Sequence, residues 1–373
     1  MHSIGIVGAG HWSRRLQKGL SEGSFEITKT VDVLSYEDKR DLLEDLGVEP
    51  DDHYEIDEGD RLPDGFLDGV DVVQIASPIE FHAEQTKQAL DAGKYTVTEK
   101  SYGASRDEFE DVLDFIDRGG HWNDSYLHLH YLKKLLTLEM PEVVERATEE
   151  HGRVKAVDAT FVEEKNEEDA RRGWLFEPEN GGVLLDWIHP IEVLVSAVDA
   201  RFEGPLEGEG YRVEPSYTRH PTAARAVYGV SSASSDVFAD DARAEIRVGK
   251  GFEATRKTMK LEFEDAVLEF EFADSETEFE SDYRGRWTWR VDGDVVDSNE
   301  PRGLIPYEYM VRELERGVER GESPLSEEDV HAMFEPVWSY NEEVGIESGV
   351  EDEDRVREFE LDTLDADAGV EAA

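Results

Sequence analysis

Lys100, Asp186 and His189 are the residues of this chain best equipped to move a proton. Lys100 follows the apolar stretch around Tyr95 to Val97 and precedes a turn at Gly103. An ammonium at a strand end can orient a hydroxyl, or shuttle its proton once partial burial lowers its pKa. A solvated lysine at a strand end is the simpler alternative. His189 stands before Pro190, which suits the first position of a helix, and the residue before a proline avoids helical angles. The spacing predicts a helix from Pro190 to Val198 with His189 at or beside its N-cap. A helix N-terminus disfavours an imidazolium, so the ring would stay neutral and able to take a proton. Asp186, three residues earlier, could hold the other ring nitrogen or bind a hydroxyl. A capping histidine beside a buried aromatic helix stays open as the alternative.

A second cluster lies in SYLHLHYLKKLL, Ser125 to Leu136, with His128, His130, Lys133 and Lys134. His130 and Lys134 are four apart and would share a helix face, where they could hold an anionic group of a substrate. A solvated helix face is the blander alternative. No carboxylate or histidine completes a metal-ligand spacing, so no metal is expected.

The elements that would position these groups begin at GIVGAGHWS, Gly5 to Ser13. Ile4 to Val7 predicts a buried strand, followed by a glycine turn and a helix from about Trp12 to Leu20. Gly8 allows a sharp turn and Gly10 lets a pyrophosphate approach bare backbone at the helix N-terminus. Gly8, Gly10, His11 and Trp12 would line that group. Ser13 stands where a third glycine is usual, and an ordinary strand–helix turn is the alternative. A second strand, Phe25 to Val31, runs into Asp32, whose carboxylate is placed to accept from ribose hydroxyls. It would repel a 2′-phosphate, which favours NAD. Lys39 and Arg40 keep NADP open, and Asp32 as a loop cap is the alternative.

A further strand is expected at Val72 to Ala76, and a strand and turn over Lys94 to Gly103. Helices are expected at Glu37 to Leu46, Glu80 to Ala92 and Arg106 to Ile116. This alternation predicts an α/β Rossmann domain with a doubly wound parallel sheet. Gly8, Gly10, Asp32, Ser77 and Lys100 would lie at its carboxyl edge, where such folds bind ligands. Beyond Gly119 the pattern changes. Val154 to Glu163 and Ala244 to Arg290 alternate apolar and charged residues, which predicts an α+β domain with a large, mostly antiparallel sheet having one wet face. Helices are also expected at Pro306 to Arg320 and Glu327 to Val344. The domains would be 1–122 and 123–348, with 349–373 as an acidic, frayed tail.

Several of these stretches together resemble the Gfo/Idh/MocA family of NAD(P)-dependent sugar and polyol oxidoreductases. They are the turn Gly8 to Ser13; Ala76, Ser77, Pro78 and His82; Ala92, Gly93, Lys94 through Glu99, Lys100 and Ser101; and Gly181, Gly182, Asp186 and His189. The resemblance implies a Rossmann domain, NAD or NADP as cofactor, and a sugar or polyol substrate. It implies that Lys100, Asp186 and His189 line the catalytic site, with Ser77, Pro78, His82 and Glu99 beside the cofactor. By the same analogy the open sheet face would form a homodimer or homotetramer. Ser101 replaces a usual proline, and Asp186 and His189 are three apart where the family commonly has four. Those departures leave a dinucleotide-binding redox sensor or scaffold subunit as the alternative function, and a lyase or hydrolase using tightly held NAD as a third. HYLKK at His130 and EKSYG at Glu99 are similar to stretches of glucose-6-phosphate dehydrogenase, which keeps phosphorylated sugars in view.

Composition narrows the partners. The 373 residues carry 90 acidic against 39 basic side chains, a net charge of −51. That sign disfavours nucleic acid and anionic membrane surfaces. The chain has no cysteine, hence no disulfide or thiolate metal site. A first strand so close to Met1 leaves no room for a signal peptide, and no apolar run reaches the roughly 20 residues of a membrane helix. A cytoplasmic protein is expected. Acid spread over a chain with 7 Trp and 16 Phe suits a surface hydrated in concentrated salt, as in a halophile. Thermal melts in a potassium chloride series test this: Tm should rise from dilute buffer towards molar salt, and a fall would refute it.

Overall fold

Apolar runs too short for helices become strands throughout the first 130 residues. The computed structural model describes residues 1–20, 24–57, 61–129, 139–167, 171–274, 281–303, 306–345 and 349–365. In chain order the elements are β1 (His2–Val7), α1 (His11–Leu20), β2 (Phe25–Asp32), α2 (Arg40–Leu46), β3 (His53–Glu55), β4 (Val72–Ile75), α3 (His82–Asp91), β5 (Tyr95–Glu99), α4 (Arg106–Gly119) and β6 (Ser125–His128). There follow α5 (Met140–His151), β7 (Val154–Glu164), α6 (Leu184–Val198), β8 (Ala200–Tyr211), β9 (Ala223–Ser232), β10 (Phe238–Phe252), β11 (Arg256–Glu262), β12 (Ala266–Phe272), β13 (Gly285–Val291) and β14 (Asp294–Asn299). The chain ends with α7 (Pro306–Arg320), α8 (Glu327–Glu343) and α9 (Glu353–Asp365).

Two compact units result: Met1–Tyr131 with Leu304–Glu327, and Leu132–Gly303 with Glu328–Ala373. The first holds a six-stranded sheet in the order β3-β2-β1-β4-β5-β6. Every pairing in it is parallel. Ile4, Ile6, Val7, Val72, Val73 and Ile75 are all but fully buried, as expected of strands covered on both faces. α4 starts at the N-cap Ser105, whose Oγ accepts from the Glu108 N–H. It stops at Gly120 in the left-handed region. The unit is completed by α7, far along the chain. Gly317 there lies so close to Tyr95 that a Cβ would stand 2.1 Å from the phenol oxygen. The compact units therefore differ from the sequence boundaries at 122 and 348. β6 and α7 both belong to the first unit.

The second unit holds an eight-stranded sheet in the order β14-β13-β12-β11-β7-β10-β9-β8. It is antiparallel except for β7 beside β10. One face, with Ala159, Phe161, Ile246, Val248, Met259, Leu261, Leu268 and Phe270, is buried. The alternate positions carry charge pairs such as Arg247–Asp158 and Lys260–Glu269. β8 and β9 were not legible in the sequence. EGPLEGEG in β8 breaks the alternation, and its register shifts between Glu203 and Glu207.

Three expectations need correction. Residues 125–128 are a strand, so His128 does not stand on a helix; His130 and Lys134 lie outside the described residues. α6 begins at Leu184 rather than Pro190, after Gly181 and Gly182 turn the chain with φ of 82° and 54°. Pro190 lies inside the helix, and His189 is not its N-cap. Finally, the segment read as a frayed tail contains α9. Phe359 stacks on Tyr211 at 3.9 Å between ring centroids and packs against Phe252. Val356 joins the same cluster, with Val162 and Ala223. One buried apolar row holds a helix that is otherwise acidic. Phe359→Ala should therefore cost about 3 kcal/mol, measured by denaturant unfolding; an unchanged midpoint would show that α9 adds nothing.

Candidate active site

Gly8 ends β1 with φ of +84°, and a Cβ there would lie 2.6 Å from the Ala76 carbonyl oxygen. Only glycine fits a turn pressed so closely against the end of β4. The Gly8 N–H donates to the Val31 carbonyl and the Ala76 N–H to that of Val7, each at 2.8 Å. At Gly10 the surroundings open: the nearest atom to an added Cβ is 4.0 Å away. Ser13 does not crowd the turn. It is buried, and its Oγ accepts from the Gly10 N–H at 3.2 Å. Bare backbone at the N-terminus of a ten-residue helix suits a diphosphate.

Asp32 closes β2 and is 8 % exposed. Its Oδ1 accepts from the Leu34 N–H at 3.0 Å, and its Oδ2 from the Lys39 ammonium. Lys39 also donates to the Ala9 carbonyl in the glycine turn. One cation thus ties the candidate ribose acceptor to the candidate phosphate turn. Arg40 points elsewhere, paired with Glu37 and Glu44.

Ser77 and Pro78 follow β4, and the Ser77 hydroxyl donates to Gln85 Oε1 at 2.6 Å. Glu99 ends β5, with Lys100 next in the chain. Glu99 pairs with His128, its register partner on β6, at 2.7 Å from Oε1 to Nδ1. Burial pushes the Glu99 carboxyl up, but His128, His82 and Lys100 outweigh it and hold it below the usual carboxylate range. His82 opens α3 and is fully enclosed. Burial pushes its ring below the ordinary histidine value, against the pull of the Ser101 and Ser77 carbonyls and of Glu99. The Lys100–Ser101 peptide bond is cis.

Because the sheet is parallel, Gly8–Gly10, Asp32, Ser77, Glu99, Lys100 and His128 all fall at one edge. The strand order reverses between β1 and β4, the place where such sheets receive ligands. The backbones of His11 and Trp12 form the start of α1 at that edge.

Residues 2–121 match the model of an oxidoreductase family with an NAD-binding Rossmann fold. That model is the one for the Gfo/Idh/MocA oxidoreductases, and the match covers the first third of the chain. A curated Streptomyces violaceoruber protein, dTDP-3,4-didehydro-2,6-dideoxy-alpha-D-glucose 3-reductase, is 29% identical over 174 residues. The match spans 46% of this chain and 45% of that protein. Among solved structures, a variant 3-ketoreductase from Actinomadura kijaniata with TDP-benzene and NADP aligns at a TM-score of 0.70 and 18% identity. It covers 92% of this chain and 98% of that one. The same reductase with NADP alone aligns at 0.65 and 17%, covering 90% and 94%. At these identities the likeness concerns the fold.

In the second unit, Asp186 and His189 share α6, one turn apart. The helix is anchored by the fully buried Trp187, whose Nε1 donates to the Tyr228 hydroxyl at 3.0 Å. That hydroxyl donates in turn to the Pro336 carbonyl at 2.9 Å. His189 is 8 % exposed and Glu192, one further turn along, is 1 % exposed. With α6 starting five residues before His189, a neutral ring no longer follows from an N-cap position. Pro190, inside the helix, contributes no N–H to its ladder.

Sequence reasoning missed three features of this chain: the Lys39 bridge, the Glu99–His128 pair and the buried Glu192. A carboxylate inside the apolar run Ile191 to Val195 was the only signal for Glu192. The other two depend on strand register and on a loop folding back, which spacing does not encode. Among the described residues no cluster suits a metal ion.

Proposed function

We propose that the protein is an NAD(P)-dependent oxidoreductase acting on a hydroxyl carbon of a sugar, polyol or sugar derivative, or on the matching keto group. The observation that carries this reading is the single sheet edge bearing Gly8, Gly10, Asp32, Ser77, Glu99 and Lys100 within a family-matched NAD-binding domain. The related proteins, a dTDP-sugar 3-reductase and a 3-ketoreductase held with TDP-benzene, support a sugar substrate and add nucleotide-linked keto sugars to the compounds worth testing.

The dinucleotide, when bound, supplies a nicotinamide that accepts or returns hydride. The chain's own groups manage the rest. Gly10 and the start of α1 hold the diphosphate. Glu99, fixed by His128, keeps a negative charge beside Lys100. In oxidation His189 takes the hydroxyl proton, Lys100 polarises or relays it, and Asp186 orients; in reduction the proton returns by the same groups. His130 and Lys134 are assigned to the substrate side. The wet sheet face, where Arg225, Arg247 and Lys260 balance carboxylates in an otherwise acidic chain, is assigned to a second copy of the chain. The three-residue spacing of Asp186 and His189 keeps the sensor reading as the competitor.

Lys100→Met should abolish turnover of a responsive sugar, followed by nicotinamide absorbance, yet leave cofactor affinity unchanged. Retained turnover would refute the role, and cofactor binding without turnover across a broad panel of sugars would favour the sensor. For the cofactor, Lys39 offsets Asp32 and allows a 2′-phosphate. Lys39→Ala should weaken NADP binding about tenfold or more while sparing NAD; equal loss for both would refute it, and titration with each dinucleotide measures it.

A further inference from the structure

His82 was expected beside the cofactor, but it is 2 % exposed and spends both ring nitrogens on backbone. Nδ1 lies 2.7 Å from the Ser101 carbonyl oxygen, and Nε2 lies 2.7 Å from that of Ser77. β4 ends at Ile75 and β5 at Glu99, so neither carbonyl belongs to a strand ladder. Carbonyls enclosed beyond a ladder need a donor. A flat, rigid imidazole between them links two segments beyond the ends of their strands. One of those segments is joined directly to Lys100.

Charges facing the ring act in both directions. The Glu99 carboxylate and carbonyl draw a proton to it. Burial and the N-terminus of its own helix drive the proton off. Lys100 and His128 meet the same Glu99 carboxylate, which limits how much of it serves His82. A charged ring donates to both carbonyls and a neutral ring to one, so a link persists in either state.

We propose that His82 is a positioning residue rather than a cofactor ligand: it ties the segment after β4 to the segment after β5 and thereby sets where Lys100 stands. The inference rests on the reading of Lys100 as a proton-handling group, since displacing an inert lysine would change no rate.

Two variants and two kinds of measurement test it. His82→Leu removes both ring nitrogens; His82→Gln keeps one amide that reaches one carbonyl. At equal folded fraction, kcat should fall about 100-fold in His82→Leu, with His82→Gln between it and the parent. Cofactor Kd and substrate KM should stay unchanged. Independently of turnover, the lysines are dimethylated with ¹³C and the Lys100 resonance is assigned from its loss in Lys100→Met. Without cofactor, that resonance and its titration should move in His82→Gln. A weakened cofactor Kd with unchanged kcat would make His82 a cofactor ligand and overturn the proposal. An unmoved Lys100 resonance would overturn it as well. If His82→Leu does not fold, His82→Gln decides on the same readings. If Lys100→Met stays active, the catalytic reading of Lys100 fails, whereas the resonance shift still reports whether His82 positions it.

Discussion

The first unit depends on the close approach of the Gly8 turn to the Ala76–Ser77 peptide. Backbone bonds from Gly8 to Val31 and from Ala76 to Val7 stitch the ends of β1, β2 and β4 together. Nothing larger than hydrogen fits on Gly8. That contact keeps three strand ends level, so that their loops share one edge. Asp32 and Ser77 come to one edge because this turn lets their strands stop together.

Along that edge, buried or half-buried charges occur with partners. Asp32 has Lys39, and Glu99 has His128 with His82 and Lys100 close by. A buried carboxylate without a partner would be strongly destabilising, and removing one member of such a pair strands the other. The partners come from different strands and loops, so folding is what completes each pair. The charges at the edge are therefore set in place by the fold itself.

How much was legible in the sequence varies from element to element. Ile4 to Val7, Val72 to Ile75 and the alternation of Met259 to Phe272 were plain, because full burial and half burial leave different apolar periods. The order of motifs from Gly8 to His189 points to a family, and a family model matches residues 2–121, the part that holds the motifs as far as Ser101. Pro190 has the residue type that favours a helix start, yet the glycine pair before Leu184 starts α6 and the helix tolerates Pro190 inside it. α9 was hidden because acidity dominates its composition, and only the partners of Phe359 reveal its apolar row.

The sequence by itself determined the class of fold, the glycine turn, the acid at the end of β2 and the lysine after β5. These follow from local rules: which residues allow a positive φ, which periods bury one face or two, and where a parallel strand must end. Tertiary structure alone decided that Lys39 meets Asp32, that His128 faces Glu99, that His82 turns to backbone carbonyls, and that α7 joins the first unit. Each of these joins residues whose distance along the chain says nothing of their distance in space. Register and loop closure set that distance, and a linear pattern carries neither.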